Sequence, residues 1–404
     1  MFNFVGAFFS FLSSIKQSND TPLIKLNEKY SVLMTSQVFC SIATPFYFLI
    51  TTKFANTWFS PNQRAIANTI ALVSATFGIL IGALISPLIV NNETDFENQM
   101  LTLNLTNCAI SLVPAVLTVF ITRSTPPIPP THKNSNSSKG LPKLKFYETF
   151  CIYFEQTRKL FKSVQFWILF FTFSICFGLF NTLAILLQQI LCVRGYTDGE
   201  VGIFSGIMIG LGIFGSLVAG LVVDKTKKFE EVAKICFCLS SLSNLFFAVL
   251  QGYNNDEGVV KNFMISAFCL IGISGLPLLP ICMEMSVECV HNISEATSTG
   301  LLLIGGQFVT IIMVMIYPTI APQVLESSYT FTSVQKCIKT NSIFNTTLSL
   351  SVVDYNTAIW NQSGIYLLIS VLFIVFYKCP YLRLRSDNSK PLKFSNNVSQ
   401  TVLI

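Results

Sequence analysis

An acidic residue followed by basic residues stands at the end of one long apolar run. Asp224 comes directly before Lys225, and Lys228 follows one turn later. An acid and bases at a helix end can pair with neighbouring helix ends in one conformational state and separate from them in another. The carboxylate can also meet the N-terminus of a neighbouring helix, where the helix dipole favours negative charge. We therefore predict a conformational gate here, with a solvated turn capped by Asp224 as the alternative.

Two carboxylates at helical spacing form a second candidate site. Glu284 and Glu288 are four residues apart, which places them on one face of a helix. Two neighbouring carboxylates in a low dielectric cannot both ionise cheaply, so one of them could carry a proton. We favour an ion pair or a gate, with Lys53 as a possible counter-charge. Proton coupling and simple solvation at the membrane interface are the alternatives.

Polar side chains inside apolar runs form a third set of candidates. Such side chains are costly in a membrane unless they are satisfied, so they mark a cavity or a contact between helices. Asn181 and Gln307 are the best candidates for a cavity near the middle of the bilayer. Gln188 and Gln189 lie nearer the end of their run. Hydrogen bonding between helices is the alternative for all four residues.

Other kinds of chemistry find little support in the sequence. It contains no phosphate-binding loop and no nucleophile–histidine–acid set, and its two histidines, His132 and His291, lie between apolar runs. The twelve cysteines lie mostly within apolar runs and show no zinc-ligand spacing. We therefore predict no enzyme activity, no metal and no cofactor. Cys337 could form a disulfide, but the sequence identifies no partner for it.

The elements that must position these residues are membrane-spanning helices. Apolar residues make up 51% of the chain and charged residues only 11%, whereas soluble domains carry about 25% charged residues. A helix needs roughly 20 apolar residues to cross the hydrocarbon core of a bilayer. The apolar runs predict ten spans, at 2–15, 31–56, 66–90, 100–122, 165–191, 201–223, 234–252, 261–287, 298–320 and 364–380.

The spans divide unevenly around a basic, Pro- and Ser-rich loop, with four before it and six after it. A six-plus-six arrangement around a central loop is typical of many transporters. We therefore expect two further helices to precede the first span. The predicted regions are a truncated N-terminal bundle at 1–122, a cytoplasmic linker at 123–163, a C-terminal six-helix bundle at 164–381 with a long outer loop at 322–363, and a cytoplasmic tail at 382–404.

The basic residues indicate the orientation of the chain. With the linker and the C-terminus in the cytoplasm, 19 of the 26 Lys and Arg residues lie on that side, as the positive-inside rule requires. Attraction to the anionic leaflet accounts for the net charge of +6 without a nucleic-acid partner. The acceptor motifs at Asn92, Asn345 and Asn361 fall on the opposite side, so we predict glycosylation there.

Glycine is concentrated in three of the predicted spans, which hold eleven of the 21 glycines. Small residues at four-residue spacing let helix backbones approach closely. If two helices precede the first span, these three are the fifth, eighth and eleventh of twelve. We expect them to face the opposite bundle, with ordinary tight packing as the alternative. The glycines are Gly78, Gly82, Gly202, Gly206, Gly210, Gly212, Gly215, Gly220, Gly300, Gly305 and Gly306.

The segment from Gly220 to Lys228 resembles the loop motif of the major facilitator superfamily. Over a longer stretch, from about residue 31 to 380, the chain resembles the feline leukaemia virus subgroup C receptor-related family of solute carriers. The resemblance implies an all-α membrane protein of the major facilitator fold, with about ten of twelve transmembrane helices present. It is carried by 216–227, 53–61, 78–87, 284–288 and 294–302.

This resemblance also implies a function, namely transport of a small organic solute by alternating access. Choline and ethanolamine are proposed substrates of the best-known members, and haem and vitamin B6 are also argued. The visible positions of the family's choline site fall at Thr76, Asn181 and Gln307, of which Gln307 alone keeps the family's residue type. On the strength of the resemblance as a whole, a choline- or ethanolamine-like cationic metabolite is the expected substrate.

Two alternatives to this function stay open. One is haem or vitamin B6 transport, and the other is a truncated, non-transporting product that acts as a regulatory or binding partner. For a transporter, the expected partners are a small-molecule substrate and the lipid bilayer, with no nucleic acid and no obligate protein partner. The expected location is the plasma membrane, with the C-terminus in the cytoplasm.

Overall fold

A computed structural model describes residues 1–15, 26–59, 64–90, 96–120, 146–226, 228–253, 258–289, 293, 295–322, 353–379 and 381. The described residues are almost entirely helical. Their helices are α1 (Phe2–Ser14), α2 (Leu26–Trp58), α3 (Arg64–Ile89), α4 (Phe96–Val119), α5 (Phe146–Leu160), α6 (Val164–Cys192), α7 (Asp198–Thr226), α8 (Phe229–Leu250), α9 (Gly258–Gly275), α10 (Leu278–Glu288), α11 (Glu295–Ile320) and α12 (Asn356–Phe376).

Each predicted span overlaps a helix of the described residues. Within the described residues, seven stretches are long and apolar enough to cross a membrane, and the segments Phe2–Ser14 and Val73–Ile89 are shorter apolar helices. Large apolar side chains such as Phe214 and Met315 lie on exposed faces of these helices. Such faces would be unstable in water but match the apolar interior of a bilayer. The all-helical membrane fold predicted from the composition is therefore confirmed.

The span predicted at 261–287 is divided in two by a proline. α9 ends at Gly275 and α10 begins at Leu278, and Pro277 stands between them. Proline lacks a backbone N–H and clashes with the preceding turn, so a continuous helix cannot keep its hydrogen bonds there. The two helices together still form one stretch of spanning length, Val259–Glu288.

The linker contains a helix that the hydropathy of the sequence did not reveal. α5 is too short to span a membrane, and Leu160 at its end is fully buried. Gln156 of α5 accepts a hydrogen bond from Thr297 of α11 through its Oε1 atom at 2.9 Å. Trp167 of α6 donates through Nε1 to the Phe161 carbonyl at 2.6 Å, which fixes the junction between α5 and α6.

The first half of the molecule, α1 to α4, is built around the short helix α1. It packs against both α2 and α4. A methyl group at Gly6 would lie 2.9 Å from the Ser36 carbonyl oxygen, so this glycine permits the close approach of α1 and α2. On the other side, Ser10 donates through Oγ to Asn104 of α4 at 3.1 Å, and Asn104 donates to Ser14 at 2.6 Å.

The second half, α6 to α12, contains most of the buried core. α6 packs along α11, α7 along α9, and α8 between α9 and α12. Gly272 of α9 lies directly against the backbone of Met208 of α7, where no side chain could fit. α6 runs from the side of the molecule that holds Glu230, called here the Glu230 side, to the side that holds Arg194, called the Arg194 side.

The two halves meet mainly through α3 and α7, and to a smaller extent through α2 and α11. These are the contacts across which the halves must move if the molecule changes conformation.

Candidate functional site

The three residues predicted to bind substrate lie at similar depths in their helices. Thr76 is at the midpoint of α3, Gln307 is at the midpoint of α11, and Asn181 is one turn beyond the midpoint of α6. A helix of this length crosses the whole hydrocarbon core, so its midpoint lies near the middle of the bilayer. Transporters of this general architecture bind substrate at that depth.

Packing between α6 and α11 brings Asn181 and Gln307 onto neighbouring helices. Thr310 of α11 donates through Oγ1 to the Gly178 carbonyl of α6 at 3.4 Å. Gly178 is one turn from Asn181, and Thr310 is one turn from Gln307. Asn181 is half-buried and Gln307 is exposed. Their polar groups are therefore not enclosed in the packed core.

Thr76 is placed differently. It shares a face of α3 with Leu80, Leu84 and Pro87, which contact α7. α3 packs mainly against α7, so Thr76 approaches the second half beside α7. The structure thus brings two of the three predicted residues onto adjacent helices and places the third on the contact between the halves.

The contact between α3 and α7 is close at one end and opens toward the other. A methyl group at Gly202 would lie 2.6 Å from Cγ of Pro87, and one at Gly206 would lie 2.6 Å from Cδ2 of Leu84. At Gly210 the nearest atom, Cδ2 of Leu80, would be 3.8 Å away. Gly220, further along α7 on the same face as Gly202, meets open space, whereas Gly78 and Gly82 lie on the face of α3 that points away from α7. The halves are therefore tightly apposed on the Arg194 side and separate toward the Glu230 side.

The glycine prediction is only partly correct. Gly202 and Gly206 of α7 do face the opposite half, as expected. Gly305 and Gly306 of α11 instead contact Phe170 and Phe177 of α6, inside the second half. Helical spacing alone could not distinguish these two environments, because both need a small residue at a close helix contact.

The predicted gate residues are only partly described. Lys225 lies in the last turn of α7, where the helix dipole favours a cation. Lys228 pairs with Glu231 at 3.2 Å, and both side chains are largely exposed. Such surface pairs contribute at most about 1 kcal/mol. The side chains of Asp224 and Lys53 lie outside the described residues.

The predicted carboxylate pair occupies two environments. Glu284 is exposed, whereas Glu288, one turn later in α10, is buried. Glu288 also lies close enough to Cys289 and Cys379 to raise the pKa of both thiols, although burial is the main cause of that rise. The two carboxylates share a helix but do not share surroundings, which favours separate roles over a shared proton.

Gln188 and Gln189 bind partners at the Arg194 side. Gln188 donates to Asp198, and Gln189 accepts from the Tyr355 hydroxyl at 2.8 Å. Nearby, Arg194 pairs with Asp354 at 3.7 Å. Lys261 pairs with Glu200 at 2.6 Å. Interhelical hydrogen bonding, the alternative considered for these glutamines, is what the structure shows.

A buried polar cluster in the second half was not found by sequence reasoning. Asn244 of α8 accepts from the Gln362 amide at 3.4 Å through its side-chain oxygen, and its backbone carbonyl accepts from Ser363 at 2.9 Å. One turn away, Ser240 donates to the Tyr366 hydroxyl at 3.0 Å. Asn244 within an apolar run was the available signal, whereas Gln362 precedes the span predicted at 364–380.

The nearby cavity is too small to be a substrate site. It has a volume of about 10 Å³, which corresponds to about one water molecule. Aromatic rings of α6, α8 and α12 line it, together with Gly275 and Leu276 at the break between α9 and α10. This cavity therefore cannot hold a solute of metabolite size.

The predicted glycosylation sites fall mostly beyond the described chain. Asn92 and Asn345 lie outside the described residues. Asn361 lies in the second turn of α12, and the hydroxyl of Ser363, which completes its acceptor motif, is buried and hydrogen-bonded to Asn244. A helical motif with an engaged hydroxyl is a poor acceptor, so this geometry disfavours glycosylation at Asn361, although its own side chain is exposed.

Comparison with known proteins identifies similar transporters. The profile of the Major Facilitator Superfamily matches residues 3–333. Solute carrier family 49 member A3 of Danio rerio is 32% identical over 89% of this chain and 68% of its own length. The choline/ethanolamine transporter FLVCR1 of Felis catus is 27% identical over 70% of this chain and 50% of its own length.

Solved structures agree with this result at the level of the fold. A D-xylose–proton symporter superposes with a TM-score of 0.60, covering 94% of this chain and 79% of the symporter at 12% identity. The nucleoside transporter NupG superposes with a TM-score of 0.56, covering 93% of this chain and 82% of that protein, also at 12% identity. These relatives and structural neighbours are transporters or solute carriers and not enzymes.

Proposed function

Because this chain belongs to the major facilitator superfamily, in the group of solute carriers related to the feline leukaemia virus subgroup C receptors, we propose that it transports a small choline- or ethanolamine-like cationic metabolite. Membrane transport itself follows from the family. The proposal concerns the substrate, the binding residues and the gate.

The observation that carries the proposal is the position of Asn181 and Gln307. They are polar residues near mid-helix on two helices that pack together, and neither is enclosed in the core. A cationic metabolite with a hydroxyl or amine group could bind their amides. Phe308, next to Gln307, is exposed, and an aromatic face attracts an ammonium group.

The proposed orientation places the Glu230 side in the cytoplasm. The excess of basic residues on that side supports it. Cys192, the last residue of α6 on the Arg194 side, is disulfide-bonded. Disulfides persist in oxidising compartments, which supports an extracellular or lumenal Arg194 side. With this orientation, the opening between α3 and α7 corresponds to an inward-open state. We also propose the plasma membrane as the location, with glycosylation at Asn92 and Asn345.

The gate proposal involves Asp224, Lys225 and Lys228 at the cytoplasmic end of α7, together with Glu284, Glu288 and Lys53. In the inward-open state this end of α7 is separated from α3, as the open space at Gly220 indicates. Closure on the cytoplasmic side would bring these charged ends toward the first half.

Substrate binding can be tested by uptake of radiolabelled choline, ethanolamine and pyridoxine into cells that express the full-length protein. We expect Gln307→Ala to raise the apparent KM for the transported compound about tenfold, since it removes a hydrogen bond to a charged or polar ligand. Gln189→Ala is the matched control, because this glutamine binds Tyr355 at the Arg194 side.

Normal kinetics in Gln307→Ala would return Gln307 to a packing role. Saturable uptake of pyridoxine alone would replace the choline-like substrate with a vitamin B6 compound. Absence of uptake of all three compounds would contradict the proposed substrate class.

A further inference from the structure

The residues directly after α12 bind the ends of three other helices. We call Tyr377, Lys378, Cys379 and Tyr381 the strap. The Lys378 N–H donates to Gln165 of α6 at 3.2 Å, and the Cys379 N–H donates to Glu230 of α8 at 2.8 Å. Both N–H groups lie beyond the last helical bond of α12, which runs from the Tyr377 N–H to the Phe373 carbonyl, so side chains of other helices accept from them.

The strap also contacts α10. Tyr377 is fully buried, and its hydroxyl lies 3.3 Å from Sγ of Cys289, which directly follows α10. The Tyr377 ring stacks on Phe373 with centroids 4.6 Å apart, and Phe373 in turn contacts Phe237 of α8. The strap is therefore packed into the second half and does not merely lie on its surface.

Glu230 is the residue that binds the strap most extensively. One carboxylate oxygen accepts from the Cys379 N–H, and the other pairs with Lys234 at 2.6 Å. The Glu230 backbone N–H donates to the Tyr381 hydroxyl at 3.3 Å. Its side chain is about one-fifth exposed, so water competes only partly for these bonds. A charge-assisted hydrogen bond in such surroundings is among the stronger polar contacts.

The strap joins helices that do not carry the main contacts between the halves. It links α6, α8, α10 and α12, whereas α7 and α11 contact α3 and α2 of the first half. A transporter that rocks one half against the other needs such a group of helices to move together.

We propose that Glu230 is a positioning residue that fastens the strap, and that the strap holds the Glu230-side ends of α6, α8, α10 and α12 together as one block during transport. Without the strap, the Glu230-side ends of these helices separate locally. The movement of the halves is then no longer transmitted to the Glu230 side, where the residues of the proposed gate lie.

The thiols of the strap region provide a test that is independent of the substrate. Burial raises the pKa of Cys379 to about 11 and that of Cys289 to about 12. Both are therefore protonated at pH 7, and a thiol reacts with maleimide only as the thiolate. Release of the strap exposes them and returns each pKa toward its ordinary value. Cys151, exposed on α5, is the labelled reference, and Cys282, fully buried, reports global unfolding.

The experiment treats membranes containing the full-length protein with N-ethylmaleimide and measures the labelling of each cysteine by peptide mass spectrometry. We expect Glu230→Ala to increase the labelling rates of Cys379 and Cys289 at least about tenfold, the order expected for loss of a hydrogen bond to a charged group. Glu231→Ala removes a neighbouring acid whose partner within the described part of the chain is Lys228, at the surface, and should leave both rates unchanged.

A charge-exchange variant distinguishes loss of the strap contact from loss of stability in α8. Glu230→Lys combined with Lys234→Glu restores an ion pair along the helix but leaves the Cys379 N–H without its carboxylate. We expect both thiols to remain reactive in this variant. Restored protection would overturn the proposal, because an ion pair within α8 would then be sufficient. Unchanged labelling of Cys379 in Glu230→Ala would also overturn it.

A second variant covers the case in which Glu230→Ala fails to fold, which labelling of Cys282 would reveal. Tyr381→Phe removes only the acceptor of the Glu230 N–H. We expect a smaller rise in Cys379 labelling, with faster amide hydrogen exchange in the first turns of α6 and α8. Exchange and labelling equal to wild type would contradict the proposal.

Discussion

At the scale of single residues, the second half depends on buried polar groups that satisfy one another. Ser240 and Tyr366 are both essentially inaccessible, and the bond between them crosses from α8 to α12. Asn244 supports Gln362 and Ser363 in the same region. A buried polar group that loses its partner costs about 1–3 kcal/mol, so these pairs fix how the two helices sit against each other.

Two Tyr→Phe substitutions test this argument. Tyr366→Phe leaves the buried Ser240 hydroxyl without its Tyr366 partner, and we expect it to destabilise the protein by about 1–2 kcal/mol. Tyr355→Phe removes a bond to Gln189, which is exposed and can bind water instead. We therefore expect Tyr355→Phe to have little effect. Thermal unfolding in detergent measures both, and equal shifts in melting temperature would argue against the buried cluster.

At the scale of helices, local chemistry sets where each element begins, breaks and ends. Pro277 divides one span into α9 and α10. α12 begins at Asn356, eight residues before the predicted start at 364, because Gln362 and Ser363 find partners on α8. A hydropathy window counts these residues as unfavourable, since it cannot include partners that arrive from another helix.

The close contact between helices α3 and α7 can be tested by substitution. Gly206→Leu places a side chain where Leu84 now lies, so we expect it to prevent close apposition on the Arg194 side and to reduce transport at least about tenfold. Gly220→Leu on the same helix faces open space in this state and should leave the close contact intact.

Cross-linking can measure this effect directly. Cysteines introduced at Pro87 and Gly202, which face each other, should cross-link readily in an otherwise wild-type chain and in the Gly220→Leu variant. Gly206→Leu should reduce that cross-linking, and an undiminished yield would show that the contact tolerates a side chain there.

At the scale of the whole molecule, the two halves differ in how much of their surface is buried. The second half contains most of the buried core and the strap, whereas much of α2 to α4 is exposed. The halves touch closely on the Arg194 side and separate toward the Glu230 side. This asymmetry is what alternating access requires of one of its end states.

The proposed gate involves the whole molecule, because it requires contacts between both halves. We expect Asp224→Asn to impair uptake at least about fivefold with little loss of expression, since it removes a charge that is needed only when the cytoplasmic ends close. Glu155→Gln, an exposed acid of α5 that pairs with Lys159, is the control. Uptake of the full-length Asp224→Asn protein at the wild-type rate would count against the gate.

The sequence by itself determined the membrane environment, the helical character of the apolar runs and the family. These follow from the length and composition of apolar runs and from a short charged motif, which are local properties. Glu284 and Glu288 show where local information ends, because four-residue spacing puts them on one helix face but neighbouring helices bury only Glu288.

Only the tertiary structure decided which glycines face the other half, how Asn181 comes to lie beside α11, and that residues after α12 bind Glu230. Each of these depends on contacts between residues far apart in the chain. Such contacts are set by the packing of whole helices, and a hydrophobic pattern specifies that a helix face is buried without specifying what covers it.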